Sequence, residues 1–286
     1  MAAAHGLIAL DALERGQDAS ADFEQALADL DGAGALGAPE ADLLEERAWL
    51  LFRKGEGLTI VGRDPGDALR DAIRSLDEAL AREPERHSAC ILRARVRARV
   101  ALGVGGSEQG APREFDSAWT ELAAVPAGSS CADAARIARA ELLRLRGEAR
   151  ELAGEDGRDD FRAAVDAAAK AAKCLPGTFE AQRERGAGLL RWAEADVDRG
   201  HDARERLTQA AAVLREVLAM RPHDLSTRKW IAAAHLGLGA DQAQAAIEEL
   251  EPILGRNRRA MDTVLLLARA HHLLAVWVVR LLRTVR

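Results

Sequence analysis

The chain holds seven histidines, three cysteines and 46 acidic residues, the groups that bind metals or move protons. Their spacing argues against both chemistries. Cys90, Cys131 and Cys174 are odd in number, widely separated and without a CxxC or other metal spacing. They read as reduced, partly buried thiols. His271 and His272 are adjacent, and a 46-residue register puts His5 and His235 in slots equivalent to His271; that helical spacing reads as packing rather than ligation. Asp18, Asp64, Asp156 and Asp202 each follow a glycine by two positions, with no second oxygen ligand at a fixed offset for calcium. Ala38-Pro39-Glu40 spells a kinase APE tripeptide, but neither HRD nor DFG occurs. Gly103-Val104-Gly105 begins a phosphate-binding glycine pattern, but Glu108 stands at the third glycine and no strand precedes it. GK[ST], HExxH and GxSxG are absent. No nucleophile, base and metal set converges, so the expectation is a non-enzyme with no cofactor and no metal.

What remains is recognition chemistry, carried by arginines and a few aromatics. Aromatic residues make up only 3%, with no Tyr, while hydrophobic residues reach 48%. Those values, with 24 Gly and 8 Pro, fit a soluble all-α protein. Lys occurs only at Lys54, Lys170, Lys173 and Lys229, so nearly all basic residues are Arg, which reads as a coding bias. A net charge of −6 argues against general nucleic-acid binding. Arg93, Arg95, Arg97 and Arg99 alternate, so a helix spreads them over two sides or more, as a solvated face plus a groove edge. The N-terminus lacks a basic region and Asp11 breaks its apolar run, which makes a poor signal peptide. No uncharged stretch approaches a membrane span, and the expected location is the cytoplasm.

The elements that would position these residues repeat. An alanine recurs every 46 residues, at Ala26, Ala72, Ala118, Ala164 and Ala210. Offsets of −3, +1, +4 and +7 from it are apolar or small each time, beginning with Phe23, Leu27, Leu30 and Ala33. That set is one stripe of an α-helix, so one buried helix face is written five times. The Gly-x-Asp signals stand just before these helices, each Asp eight residues ahead of its alanine. They predict a helix stop at Gly and a helix cap at Asp. Asp64-Pro65 adds a proline for the first turn. The third repeat has instead a looser loop from Gly103 to Gly110. Pro84, Pro176 and Pro222, twelve residues past their alanines, mark helix ends. A second helix carries a small residue 22 positions after each alanine: Ala48, Ala94, Ala140, Gly186 and Ala232. A sixth unit runs from Ala246, with Ala268 again 22 positions on.

These markers resemble the tetratricopeptide repeat, whose helices A and B alternate. The matching series are Ala72-Leu76-Ala79-Pro84, Ala164-Ala168-Ala171-Pro176 and Ala210-Leu214-Val217-Pro222. The family period is about 34 residues. Here the added residues lie between helix A and its own helix B, except from Ala232 to Ala246, a step of 14. Armadillo and HEAT repeats match the period of about 40–47 but not the markers. The family's helix-A aromatic is missing; its slot holds Leu51, Arg97, Leu143, Leu189, His235 and His271. The resemblance implies an all-α, right-handed α-solenoid of about six helix pairs with a 46-residue period, one domain over 1–286. Its expected units are 1–38, 39–84, 85–130, 131–176, 177–222 and 223–258, with a terminal helix over 259–286. The first helix A is cut short at Ala2 and the last runs on as an apolar stretch, Leu273 to Leu282. Neither end has a polar cap, so the expectation is either a longer repeat protein or ends covered by a partner.

In this family the concave groove is lined mainly by helix A. The resemblance therefore implies groove residues three before and one after each small residue: Glu45 and Trp49, Ile91 and Arg95, Ile137 and Glu141, Arg183 and Ala187, Lys229 and Ala233. Phe52, Arg53 and Arg99 join from adjacent turns. The slot after the small residue never holds Asn, which disfavours the chaperone-tail clamp of some family members. The implied function is a non-catalytic scaffold that holds a peptide or helix of another protein. Trp49 and Phe52 would supply apolar area, and Arg95, Arg99, Arg183 and Lys229 would pair with acids or a carboxylate. A second reading is a regulatory repeat array of a larger signalling protein, because the Gly-x-Asp signal resembles arrays attached to bacterial serine/threonine kinases. The apolar last helix also allows self-association.

Overall fold

The computed structural model describes residues 2–14, 19–60, 63–103, 110–174, 178–256 and 261–284. Among them are thirteen α-helices and no strand. The chain divides into two compact units, Met1–Ala149 and Arg150–Arg286. The first holds α1 (Ala2–Glu14), α2 (Ser20–Ala35), α3 (Glu40–Ile60), α4 (Gly66–Arg82), α5 (His87–Gly103), α6 (Gly110–Ala124) and most of α7 (Ala132–Leu152). The second holds α8 (Arg158–Cys174), α9 (Phe179–Asp198), α10 (Arg204–Met220), α11 (Leu225–Leu238), a 3-10 turn at Ala240–Gln242, α12 (Ala243–Arg256) and α13 (Met261–Thr284).

Even-numbered helices carry the 46-residue alanine, and it is the contact point of the packing. Ala26, Ala72, Ala118, Ala210 and Ala246 are 0% exposed and Ala164 is 1% exposed. Three residues earlier, Phe23, Leu69, Phe115, Phe161 and Leu207 are all buried, as are Leu30, Leu76, Leu122, Ala168 and Leu214 four residues later. Each large member of this stripe contributes roughly 2 kcal/mol of transfer free energy. The position after the alanine lies at the edge of the stripe. It is half-buried at Leu27, Ile73 and Val165 and exposed at Trp119, so it is not uniformly part of the buried face.

Odd-numbered helices carry the second small residue, which packs on the following even helix. Ala48 joins Leu69 and Ala72 in one core, Ala94 joins Phe115 and Ala118, and Ala232 joins Ala246 and Ile247. At Gly186 even a methyl group is excluded, since an added Cβ would lie 2.6 Å from Leu214 Cδ2. Each even helix α2, α4, α10 and α12 packs on the odd helices before and after it, and successive odd helices touch in α1–α3, α3–α5, α9–α11 and α11–α13. The added residues of the long period extend the odd helices: α3 and α7 have 21 residues and α9 has 20. Helix α11, where the extension is missing, has 14.

The Gly-x-Asp signals act as a stop and a start. Gly154 and Gly200 take φ of +78° and +75°, a region that only glycine enters without strain. The chain then closes the preceding helix with Glu155 N–H to Arg150 O and His201 N–H to Asp196 O, both 2.8 Å. Arg63 N–H to Leu58 O repeats the bond after α3. Asp64, Asp156 and Asp202 then accept the backbone N–H of Gly66, Arg158 and Arg204 at 2.8, 3.0 and 3.0 Å. Pro84 and Pro222 lie in the turns after α4 and α10. The first signal, Gly16-Gln17-Asp18, lies outside the described residues, as do 104–109 of the third loop and Pro176.

The last helix departs from the expected register. Ala268 is exposed, while Thr263 and Ala270 are buried and Leu266, Leu267, Leu273 and Leu274 are partly so. The small slot of an odd helix is covered by the even helix after it, and among the described residues none follows α13. His271 and His272 are exposed as well, which corrects the packing role expected of His271. His235 does pack, at 3% exposure, and His5 Nδ1 lies 2.8 Å from Asp29 Oδ2. Cys90, Cys131 and Cys174 are free thiols. Among the described residues no helix is long and apolar enough to cross a membrane.

Candidate binding surface

The odd helices bring the expected residues together in two places, one within each unit. In the first, α3 presents Glu45 and Trp49 to an open cavity of about 460 Å³, completed by Leu7, Asp42, Glu46, Arg86, Ser88 and Leu92. Arg86 donates through Nε to Glu45, and Ser88 Oγ donates to the same carboxylate at 3.1 Å. Further bonds to Asp42 and Glu83 help hold the Arg86 guanidinium charged above its ordinary range, the bond to Glu45 contributing most.

Behind this cavity the remaining candidates are tied to one another. Arg95 and Arg99 stand one turn apart on α5, and both donate at 2.8 Å to Glu141 of α7, the first through Nε and the second through Nη2. Arg95 and Glu141 occupy the same slot of successive repeats. Glu141 is 3% exposed. Burial pushes its carboxyl up, but Arg95, Arg99 and Arg144 together outweigh burial and hold it well below the usual carboxylate range. Arg95 also lies 5.4 Å over the Phe52 ring, and Arg53 lies 6.0 Å over Trp49 while donating to Glu56 at 2.6 Å. Phe52 itself is 1% exposed within the core of α3, α4 and α5. Phe52 and Glu141 therefore support the surface from below, which corrects the expectation that they meet a partner. The cause is helix periodicity: Phe52 follows the buried Ala48 by four residues, so it shares the face of α3 that packs on α4.

The alternating arginines of α5 part cleanly. Arg93 and Arg97 turn the opposite way from Arg95 and Arg99. They meet Asp77 of α4 at 2.6 Å and Glu114 of α6 at 3.1 Å, and share Glu121 of α6 at 3.1 and 3.2 Å. The run is an internal set of ion pairs with a groove edge.

In the second unit, Lys229 of α11 lines another cavity of about 460 Å³, with Leu190, Arg191, Glu194, Trp230, Ala233, Leu265, Leu266 and Arg269. Arg183 lies beside this group, 4.9 Å over the Trp230 ring and 3.6 Å from Asp224. Sequence reasoning missed Trp230, Leu265 and Arg269. The signal for two of them existed: the same offsets, applied to Ala268, fall on Leu265 and Arg269. Trp230 lies beside an offset and not on it. Leu7 and Arg86 come from other elements, so no periodicity in helix A marks them. Among the described residues, no group of three or more His, Cys, Asp or Glu is placed to hold a metal ion.

The sequence matches no family model and no characterised protein. Solved structures do resemble it. TTC0263, a thermophilic TPR protein of Thermus thermophilus, aligns with a TM-score of 0.54 at 17% identity, over 79% of this chain and 100% of that one. The TPR2AB domain of yeast Sti1, solved in a pHSP90 complex, aligns with a TM-score of 0.34 at 17% identity, over 87% of this chain and 92% of that one. The first of these likenesses is close enough to establish architecture, and it agrees with the buried marker residues. The chain is an all-α helical repeat array with the fold of a tetratricopeptide-repeat protein.

Proposed function

We propose that this chain is a non-catalytic binding scaffold that holds a peptide or helix of another protein against its odd-numbered helices. One observation carries the reading: the cavity of α9, α11 and α13 combines an aromatic face, exposed leucine and basic side chains in one open site. Leu265 there is 64% exposed and lines the cavity together with Leu266 and Trp230, so the apolar surface is contiguous. Trp230 offers rigid contact area, and Lys229 and Arg269 offer charge to an acidic or carboxylate group. The first cavity, with Trp49 among Asp42, Glu45, Glu46 and Arg86, adds a contact of opposite character.

The test is affinity capture with the double substitution Lys229→Glu and Arg269→Glu, beside Lys173→Glu on an even helix as the control. Loss of a central charged contact weakens binding by roughly tenfold. The double variant is expected to lose proteins that the control retains, and recovery of the same proteins by both would sink the groove reading. The placement as a regulatory array of a bacterial serine/threonine kinase has less support. The Gly-x-Asp signal behind that resemblance is accounted for by helix ends that it closes and caps locally.

A further inference from the structure

Exposed large hydrophobic side chains concentrate on α1 and α13. Among the described residues eleven large hydrophobic side chains are exposed, and six lie on α1 and α13: Leu7, Ile8, Val264, Leu265, Trp277 and Val278. The two helices make up 13 and 24 residues, so the concentration is well above their share of the chain. Their charges are opposite. Residues 1–38 hold seven acidic side chains against Arg15 alone, whereas residues 253–286 hold seven arginines against Asp262 alone. The chain as a whole is acidic, at −6, so the basic segment stands against the general trend.

We propose that α13 of one molecule docks on the α1–α2 pair of a second copy of this chain, joining molecules head to tail. The packing rule inside each unit shows how. Successive odd helices touch, and the small slot of an odd helix is covered by the next helix pair. On α13 that face is open, with Val264, Ala268 and Val278 exposed along it. The α1–α2 pair of another copy brings the exposed Ile8 and Asp11 and an acidic surround to that face. Apolar side chains then meet apolar ones, and the opposite net charges of the two segments attract. A heterologous joint of this kind leaves one free surface of each type, so assembly continues unless it closes into a ring. An anionic membrane is the rival occupant of a basic, apolar helix. The acidic remainder of the chain opposes it, whereas it favours α13 meeting the head of another copy.

Sedimentation velocity of the full chain tests the joint. Mass should rise with concentration at about 0.1 M salt and fall toward monomer at about 1 M, where the screening length drops from about 10 to about 3 Å. Val264→Glu with Val278→Glu blocks the tail, and Ile8→Arg with Asp11→Arg blocks the head; neither pair touches the lining of the second-unit cavity. Each variant alone should be monomeric, and their mixture should form a 1:1 dimer and stop there, because one compatible joint remains. That recovery also shows that both variants are folded. A wild-type monomer at every concentration overturns the proposal. So does a dimer abolished by the tail substitutions but untouched by the head substitutions, which means symmetric α13 pairing. Binding to phosphatidylserine vesicles without self-association overturns it in favour of the membrane. None of these outcomes depends on capture of a groove ligand.

Discussion

Glu141 is the residue on which the first unit's surface depends. It is a buried carboxylate with two guanidinium donors at 2.8 Å, and it joins α5 to α7. Its folded-state pKa lies below the ordinary value of 4.5. The unfolded chain therefore takes up the proton first as pH falls. The stability that this network contributes is present above pH 4.5 and is lost progressively below it. His235 acts in the same direction at a higher pH. Burial, and then Arg215 with Nη2 at 2.7 Å from Nε2, keep the ring neutral below its ordinary 6.5. Its contribution is present above pH 6.5 and declines as pH falls below that. Glu141→Gln removes the carboxylate shared by Arg95 and Arg99, while Arg99 and Arg144 keep Glu56 and Glu148, and it should cost about 1.5–3 kcal/mol, as loss of a hydrogen bond to a charged group does. Urea melts at neutral pH measure that loss. Melts repeated on the acid side of pH 4.5 should show a smaller further loss in the variant than in the wild type. An unchanged acid slope would assign the sensitivity to other groups.

Among the helices, small residues govern how closely neighbours approach. Gly186 on α9 shows this most directly, since a Cβ there would lie 2.6 Å from Leu214 Cδ2 and 2.7 Å from its Cγ. Leu214 is 0% exposed, so it would have to shift within the core. Alanine favours an isolated helix over glycine by about 1 kcal/mol. Overpacking costs about 1–3 kcal/mol. Gly186→Ala should therefore lower the melting temperature, while Gly128→Ala, with nothing within 4 Å of the added Cβ, should leave it unchanged. A rise in the melting temperature of the Gly186 variant would mean that α9 and α10 separate without loss. The length of the odd helices belongs to the same scale. Extension from 14 residues in α11 to 21 in α3 adds helix that itself packs, with Gly55 and Gly57 buried and Gly55 against Leu69, and the alanine contact is kept.

For the molecule as a whole, contacts run between helices close in sequence, and each unit has its own cores. Stability in such arrays is largely a sum of local interfaces. Leu250→Ala empties a site that is 0% exposed between α11, α12 and α13 and should cost about 2–5 kcal/mol. Hydrogen exchange should quicken in those helices and remain as in the wild type in α3 and α4. Uniform loss of protection across both units would show global two-state unfolding instead. Charge also acts at this scale. An acidic first helix pair and a basic last helix on one chain would make a joint between those two segments salt-dependent.

Much of this molecule follows from one-dimensional spacing. The recurrence of Ala72, Leu69 and Leu76 specified a helix face, and that face is buried in the structure because a periodic stripe has one way to leave water. Gly154 and Asp156 similarly specified a stop and a cap, since those interactions stay within a few residues. Five places of the second small residue were legible for the same reason, and Ala268 was not, because its cover depends on a helix that must follow it. Tertiary structure alone decided that Phe52 lies beneath the surface, that Arg95 and Arg99 are committed to Glu141, and that Leu7, Arg86 and Trp230 complete the two cavities. Those facts depend on which side chain of another helix stands opposite. Periodicity within one helix orients a face, but the residue that meets it is chosen only when the helices pack.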